Sequence, residues 1–294
     1  MTSETATDKS AFPAAGAAAG LTTAEEWRSI LTAFSHIVLV ANSDTVDIGS
    51  LQAQYPPTAL FVFFNKVYKV LDRPFLGHSL LISRGQPRGA NIVYRGEVGE
   101  VVKFFPREYF LGIMNIRLGL EEKLNPAADF QGAPTGHLDL VGFCGDLYTE
   151  AKTPTSGFAL ALWLSDLKLP GAIVLAGFSA KRSEKWRVVS VHDWSFEQTF
   201  LRLFARLGKI TIHGGVSANA YTRLAERFSE VPPAEISLAV AEVLSERLGN
   251  TDAQVDKLIS LTNVIRSTDN FLRRLRPKFL KGKPKGTPGE QKEG

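Results

Sequence analysis

The run His192-Asp193-Trp194-Ser195-Phe196-Glu197, closed eleven residues later by Gly208-Lys209-Ile210-Thr211-Ile212, places one histidine and one carboxylate at the mouth of a strand-to-helix junction. Val188 to Val191 reads as a short buried strand. Ser195 to Leu207 reads as an amphipathic helix with Phe196, Phe200, Leu203, Phe204 and Leu207 on its apolar face. An imidazole there can take a proton from an alcohol near neutral pH, because its unperturbed pKa lies close to the working pH. His192 is therefore a candidate general base, with Glu197 one helical turn beyond it.

Three further segments sit where strands should end. His36-Ile-Val-Leu-Val-Ala-Asn42-Ser43 finishes an apolar run with an amide and a hydroxyl, and Ala59-Leu-Phe-Val-Phe-Phe-Asn65-Lys66 finishes another with a second amide. Asparagine offers both a donor and an acceptor, so two of them at neighbouring strand ends could read a base or ribose edge. Each could equally cap a turn. Pro154-Thr155-Ser156-Gly157 precedes the apolar stretch Phe158 to Leu167. Hydroxyls and backbone N–H groups at a helix N-terminus suit a phosphate or carboxylate, and Gly157 would let a ligand approach the backbone. A plain Thr or Ser N-cap is the alternative.

The elements that must position these residues follow from periodicity. Thr22-x-x-Glu25 and Thr23-x-x-Glu26 are alternative capping boxes for a helix carrying Trp27, Ile30, Leu31 and Phe34. Strands are expected at His36–Ala41, Ala59–Phe64, Ser79–Ile82, Asn91–Tyr94, His137–Gly142, Ala172–Gly177, Trp186–Val191 and Lys209–His213, with helices at Gly157–Leu167 and Ser195–Leu207. Near-continuous apolar strands alternating with helices indicate an α/β fold with a largely parallel sheet covered on both faces. Such sheets bind ligands outside the carboxyl ends of their strands. Gly85 to Gln131, where Arg88, Arg95, Lys103 and Arg107 are interspersed with Phe104, Phe105, Tyr109 and Phe110, reads as an irregular lobe beside a cleft.

The expected division is a disordered leader over 1–21, an α/β domain over 22–215, a helical extension over 216–276 and a basic disordered tail over 277–294. In the extension, Pro232-Pro233 starts a helix ending at Gly249. Thr251 caps a longer one whose Val255, Leu258, Thr262, Ile265 and Leu272 suit core packing or an oligomer seam.

Among 294 residues, 44% are hydrophobic and 22% charged, ordinary values for a globular chain. From Arg266 to Gly294 nine basic residues face three acidic ones, a net +6, so the rest of the chain is −2 of the overall +4. A nearly neutral body argues against a nucleic-acid partner. The tail could touch an anionic membrane or simply be solvated. No apolar run reaches the roughly 18–20 residues of a membrane span. The start of the chain lacks a secretory pattern, and Cys144 stands alone, so a cytoplasmic protein is expected, with no intrachain disulfide. Glycine-rich phosphate loops, Asp-x-Asp, His-x-x-x-His and the hydrolase Gly-x-Ser-x-Gly are all missing from the sequence. No metal and no cofactor are expected.

Taken together, the segments resemble the sialyltransferase family of the animal type, which uses CMP-activated sugars. Ala41-Asn42-Ser43 through Phe64-Asn65-Lys66 is similar to its long motif. Pro154-Thr155-Ser156-Gly157-Phe158, with Ala176-Gly177-Phe178 downstream, is similar to its short motif. His192-Asp193-x-x-Phe196-Glu197 with Lys209-Ile210-x-Ile212 is similar to its very short motif. The resemblance spans about residues 36–215 and implies a Rossmann-like, GT-A-type glycosyltransferase that inverts the anomeric centre without a metal. It implies His192 as the base on the acceptor hydroxyl and Glu197 as its support. Asn42, Ser43, Asn65, Thr155, Ser156 and Gly157 would hold the donor nucleotide. Lys181, Arg182, Lys185 and Arg187 stand between the last two motifs, where the family has a further histidine, and of these Lys185 and Arg187 are the candidates for the leaving phosphate. The donor would be a CMP-linked ulosonic acid, Kdo or sialic acid. The acceptor would be a hydroxyl of a bacterial surface glycan or glycolipid, met at the inner face of the cytoplasmic membrane. A non-catalytic nucleotide- or glycan-binding protein on the same scaffold is the alternative.

Overall fold

The computed structural model describes residues 12–85, 91–148, 152–179, 191–215, 227–232 and 234–245. The chain forms two compact units, residues 1–216 and 217–294.

The first unit opens with α1 (Ala24–Leu31), and of the two capping boxes it uses Thr23 with Glu26: the Thr23 hydroxyl accepts from the Glu26 N–H, and the Glu26 carboxylate accepts from the Thr23 N–H. There follow β1 (His36–Val40), α2 (Ile48–Ala53), β2 (Ala59–Phe64), β3 (Ser79–Arg84), α3 (Val98–Val102), β4 (Phe110–Arg117), β5 (Thr135–Asp139), α4 (Val141–Cys144), α5 (Ser156–Asp166), β6 (Ala172–Ala176), α6 (Trp194–Arg206) and β7 (Thr211–Ile212). The seven strands form one sheet in the order β5-β4-β3-β2-β1-β6-β7, and every pairing is parallel. It is an α/β, Rossmann-like arrangement.

Alternate strand residues enter two separate cores, which is why the strands read as unbroken apolar runs. Ile37, Leu39, Val62, Ile82, Ile173 and Leu175 pack with α1, α5 and Leu201 of α6. Val38, Val40, Phe61, Phe63, Leu81 and Val174 pack with Leu51 of α2, Val98 and Val101 of α3, and Phe75 and Phe105. Helix α5 is apolar almost all round because it is nearly engulfed: each residue from Phe158 to Leu164 is buried.

Four expectations are corrected. The region 85–131 holds an eight-residue buried strand, β4, rather than only an irregular lobe. Gly112, at φ +126, and the buried Asn115 interrupt its apolar pattern, and the register with β3 shifts at Leu80. Asn91–Tyr94 is a turn, not a strand, because the Asn91 side-chain oxygen accepts from the Tyr94 N–H at 2.7 Å. The strand expected at His137–Gly142 is Thr135–Asp139 and stops where the Asp139 carboxylate accepts from the Val141 N–H. Finally, residues 12–21 are not a disordered leader. The N–H groups of Gly16, Ala18 and Gly20 donate to the carbonyls of Phe110, Leu111 and Thr135, and Ala18 is fully buried. The expected strand Trp186–Val191 falls almost wholly outside the described residues.

In the second unit a helix covers residues 234–245, and Pro232 supplies a carbonyl to the N–H of Glu235 and of Ile236. The helix expected from Thr251 lies outside the described residues. Among the described residues no helix is long and apolar enough to cross a membrane.

The docking of residues 12–21 is testable at Gly136 in β5. A Cβ there would collide with the Ala18 and Leu21 carbonyls and the Trp27 ring. Gly136→Ala should lower unfolding stability by about 1–3 kcal/mol in urea titrations. An unchanged midpoint would mean that the segment does not lie there.

Candidate functional site

Strand order reverses at β1. The chain walks outward from β1 to β5, then returns to place β6 on the other side of β1. In open parallel sheets the crevice at the carboxyl ends of the two strands flanking such a reversal is where ligands bind. Here that crevice is edged by Ala41-Asn42-Ser43 after β1 and Gly177-Phe178 after β6.

Asn42 donates its Nδ2 to the Phe64 carbonyl at 2.7 Å, which joins the ends of β1 and β2. A carbonyl only accepts, so this bond sets the orientation of the amide. The Asn42 Oδ1 is buried with no partner among the described residues. Ser43 closes a tight local turn, with its Oγ 3.0 Å from the Thr45 Oγ1. Gly177 takes φ +79, and the Val46 and Ser43 side chains fill the space that a Cβ would need. Asn65 lies in the left-handed region at φ 46, which asparagine tolerates, and its Oδ1 accepts from the Arg84 N–H at 3.1 Å. It therefore joins β2 to β3.

Arg84, which sequence reasoning missed, is the residue that links this edge to the rest of the site. It is 7% exposed, and Nε donates to the Glu122 Oε1 at 2.9 Å. Nη2 lies 2.7 Å from the same oxygen, although without hydrogen-bond alignment. The second Glu122 oxygen accepts from the Leu118 N–H at 3.0 Å. Nη1 reaches the Pro154 carbonyl at 2.9 Å, immediately before the Thr155-Ser156-Gly157 turn. Around this pair a buried amide network closes the same sheet edge. Asn91 donates to the Arg84 carbonyl and to Asn125, Asn115 donates to the Ser83 carbonyl, and the Asn125 N–H donates to the Asn115 Oδ1. The one sequence signal for it is an arginine two residues beyond the run Ser79–Ile82.

Thr155 is the N-cap of α5, and its Oγ1 accepts from the Phe158 N–H at 3.2 Å. The same hydroxyl donates to the Glu197 Oε2 at 2.6 Å, and the Thr155 N–H donates to the Glu197 Oε1 at 2.8 Å. The Tyr148 hydroxyl donates to that Oε1 at 3.0 Å. The carboxylate at the head of α5 is thus the protein's own, brought from α6, and Glu197 is 2% exposed. It positions the turn rather than facing a substrate. Burial holds the Glu197 carboxyl above its ordinary range despite three donors, and burial beside that carboxylate pushes the Tyr148 hydroxyl up as well. Gly157 also differs from expectation: the space a Cβ would take is filled by the Phe178 ring, so its smallness serves packing within the protein.

His192 leads into α6, whose N-cap is Asp193 with Oδ1 accepting from the Phe196 N–H at 3.0 Å. The His192 Nδ1 is 2.7 Å from the Thr153 carbonyl. Because that oxygen can only accept, Nδ1 carries the proton, and in the neutral ring the lone pair is on Nε2. The Thr153 N–H donates to the Val191 carbonyl at 3.0 Å, and the Trp194 ring stands edge-on to the imidazole at 5.5 Å.

The structure therefore ties His192, Glu197, Thr155 and Asn65 into one hydrogen-bonded system through residues 153–155 and Arg84. Asn42 and Ser43 lie on the adjoining strand end. Lys181, Arg182, Lys185 and Arg187 lie outside the described residues. Among the described residues no group of three or more His, Cys, Asp or Glu side chains could hold a metal ion. No protein-family model matches the chain, and no curated protein matches it significantly.

Two experiments probe this geometry. Glu197 is a carboxyl raised above its unfolded value, so the native state binds the extra proton and stability falls as pH rises from about 4.5 through the raised native pKa. The melting temperature of wild type relative to Glu197→Gln should decline across that rise, whereas a difference independent of pH would contradict the raised carboxyl. Glu122→Ala should cost about 3–5 kcal/mol by stranding the Arg84 charge. The double variant Arg84→Met/Glu122→Leu should recover most of that loss in denaturant titrations, while losing the bond to Pro154.

Proposed function

We propose that the chain is an inverting, sialyltransferase-like glycosyltransferase that works without a metal. It moves Kdo or sialic acid from a CMP donor to a hydroxyl of a surface glycan or lipid-linked acceptor. The observation that carries this reading is the convergence of three segments far apart in the chain. The strand-end Asn65, the Pro-Thr-Ser-Gly turn and the His-Asp-x-x-Phe-Glu run are joined through Arg84 and residues 153–155, with Asn42 on the adjoining strand end. They meet along the sheet edge where parallel α/β proteins bind ligands. In this reading the sheet is of GT-A type, the segment after 217 is a helical extension, and the enzyme works at the inner face of the cytoplasmic membrane with its basic tail against anionic lipid.

In the reaction the acceptor oxygen attacks the anomeric carbon from the face opposite CMP. Its proton passes to the Nε2 of His192, and the Thr153 carbonyl stabilises the imidazolium through Nδ1–H. The bond from the anomeric carbon to the CMP oxygen breaks, and its electron pair leaves with CMP. The Asn42 Oδ1 suits a ribose hydroxyl or base amino group. Since Glu197 already engages Thr155, the donor's charge falls to Ser156, the backbone N–H groups of the turn, and Lys185 and Arg187. Hydrogen-bond donors can stabilise a departing monophosphate in this way.

That engagement of Thr155 also favours a second reading, a non-catalytic nucleotide- or glycan-binding protein. Turnover separates the two. Incubation with CMP-Kdo or CMP-sialic acid and a panel of glycan acceptors should release CMP in an acceptor-dependent manner, and His192→Ala should reduce it at least about 10²-fold. CMP binding without turnover on any donor would favour the second reading, and near-wild-type turnover in His192→Ala would remove that residue as the base.

A further inference from the structure

On the α2 side of the sheet, α2 and the segment from Tyr68 to Leu76 enclose a groove of about 640 Å³, within the range of about 300–1,000 Å³ common for ligand sites. Ser43 lines it, so the groove adjoins the strand end that carries Asn42. Its walls bear Asp44, Asp47 and Asp72 against Lys69 and Arg73. These charges are largely answered within the protein. Asp47 caps α2, with Oδ1 accepting from the N–H groups of Gly49 and Ser50 and Oδ2 from the Ser50 hydroxyl, and Arg73 lies within its field. Asp44 attracts the Lys69 ammonium. With three carboxylates against two cations, the groove has no surplus cation for a phosphate or carboxylate. It offers a neutral ligand alternating donors and acceptors, together with the ring of Tyr68, which is 39% exposed. The Lys66 ammonium, held by the Glu97 carboxylate at 2.7 Å, lies 5.9 Å from the centroid of that ring. Hydroxyl groups matched to mixed charges and C–H faces matched to an aromatic plane are the chemistry of a sugar.

We infer that this groove receives the neutral oligosaccharide end of the acceptor, presented beside Ser43. The inference rests on the transferase reading of the adjoining strand ends. It assigns acceptor recognition to Tyr68 and Asp72, which lie outside the residues expected to hold the donor.

Two measurements on the full chain test it. Saturation-transfer difference NMR with lactose, N-acetyllactosamine and maltotriose, without donor, should show binding of at least one sugar to the wild type and its loss in Tyr68→Ala. Steady-state turnover should show the acceptor KM rising about 3- to 10-fold in Tyr68→Ala and in Asp72→Asn, with kcat and the donor KM unchanged. Both positions are exposed, so the variants should fold, and their thermal melts check this. Absence of saturation transfer from all three sugars overturns the inference. Turnover with an unaltered acceptor KM in both variants overturns it while leaving the transferase standing. Sugar binding that depends on Tyr68, with no turnover on any CMP-sugar, overturns the transferase reading and the acceptor role with it.

Discussion

The constraint on which the rest of the site depends is the buried charge of Arg84. A guanidinium stays protonated at any physiological pH, so burying it demands a partner on the spot. Glu122, itself 1% exposed, is that partner. Such a pair is often no better for stability than a well-packed apolar one. What it does here is geometric. With Nε and Nη2 turned to Glu122, the fork aims Nη1 at the Pro154 carbonyl, while the backbone N–H of the same residue holds the Asn65 Oδ1. One residue thereby registers the end of β3 against the end of β2 through its backbone, and against the entry to α5 through its side chain.

The second constraint is the carboxylate at the head of α5. A helix N-terminus attracts an anion, and in this protein Glu197 meets part of that demand from within. The arrangement locks α6 to α5, and His192 leads directly into α6. The orientation of the histidine and the conformation of the Thr155 turn are therefore not independent. The desolvation that raises the Glu197 carboxyl is the cost of this lock, and the bonds from Thr155 and Tyr148 offset it.

Much of the fold is legible in the sequence because parallel strands buried on both faces leave unbroken apolar runs. β2 matches Ala59–Phe64 residue for residue, and β1, β3 and β6 differ only at an end. α5 and α6 each begin and end one residue before the expected helix, because their caps are Thr155 and Asp193. β4 escapes because two of its residues do something other than pack. Gly112 leaves room for the Pro134 carbonyl, and Asn115 donates to the Ser83 carbonyl. In the site, His192, Thr155 and Glu197 are legible because they flank periodic elements. Arg84 and Glu122 are not, since they are 38 residues apart and no local pattern pairs them. Gly157 reads in the sequence as room for a ligand, and only the position of the Phe178 ring shows that the space serves packing instead.

Residues 153–155 show how so short a segment can coordinate the whole edge. Thr155 is extended at φ −70 and ψ 151, and a residue before proline is itself driven toward extended backbone. Successive groups along extended chain point to opposite sides. The Thr153 carbonyl meets the imidazole of His192, the next carbonyl meets the guanidinium of Arg84, and the following N–H meets the carboxylate of Glu197. Proline at the middle position removes an N–H that would otherwise need a partner and narrows φ, which favours this alternation. Displacing this segment would loosen the bond that holds the proton on Nδ1 and the bond that caps α5 together. The tautomer of His192 and the shape of the neighbouring turn are thus two consequences of one backbone conformation.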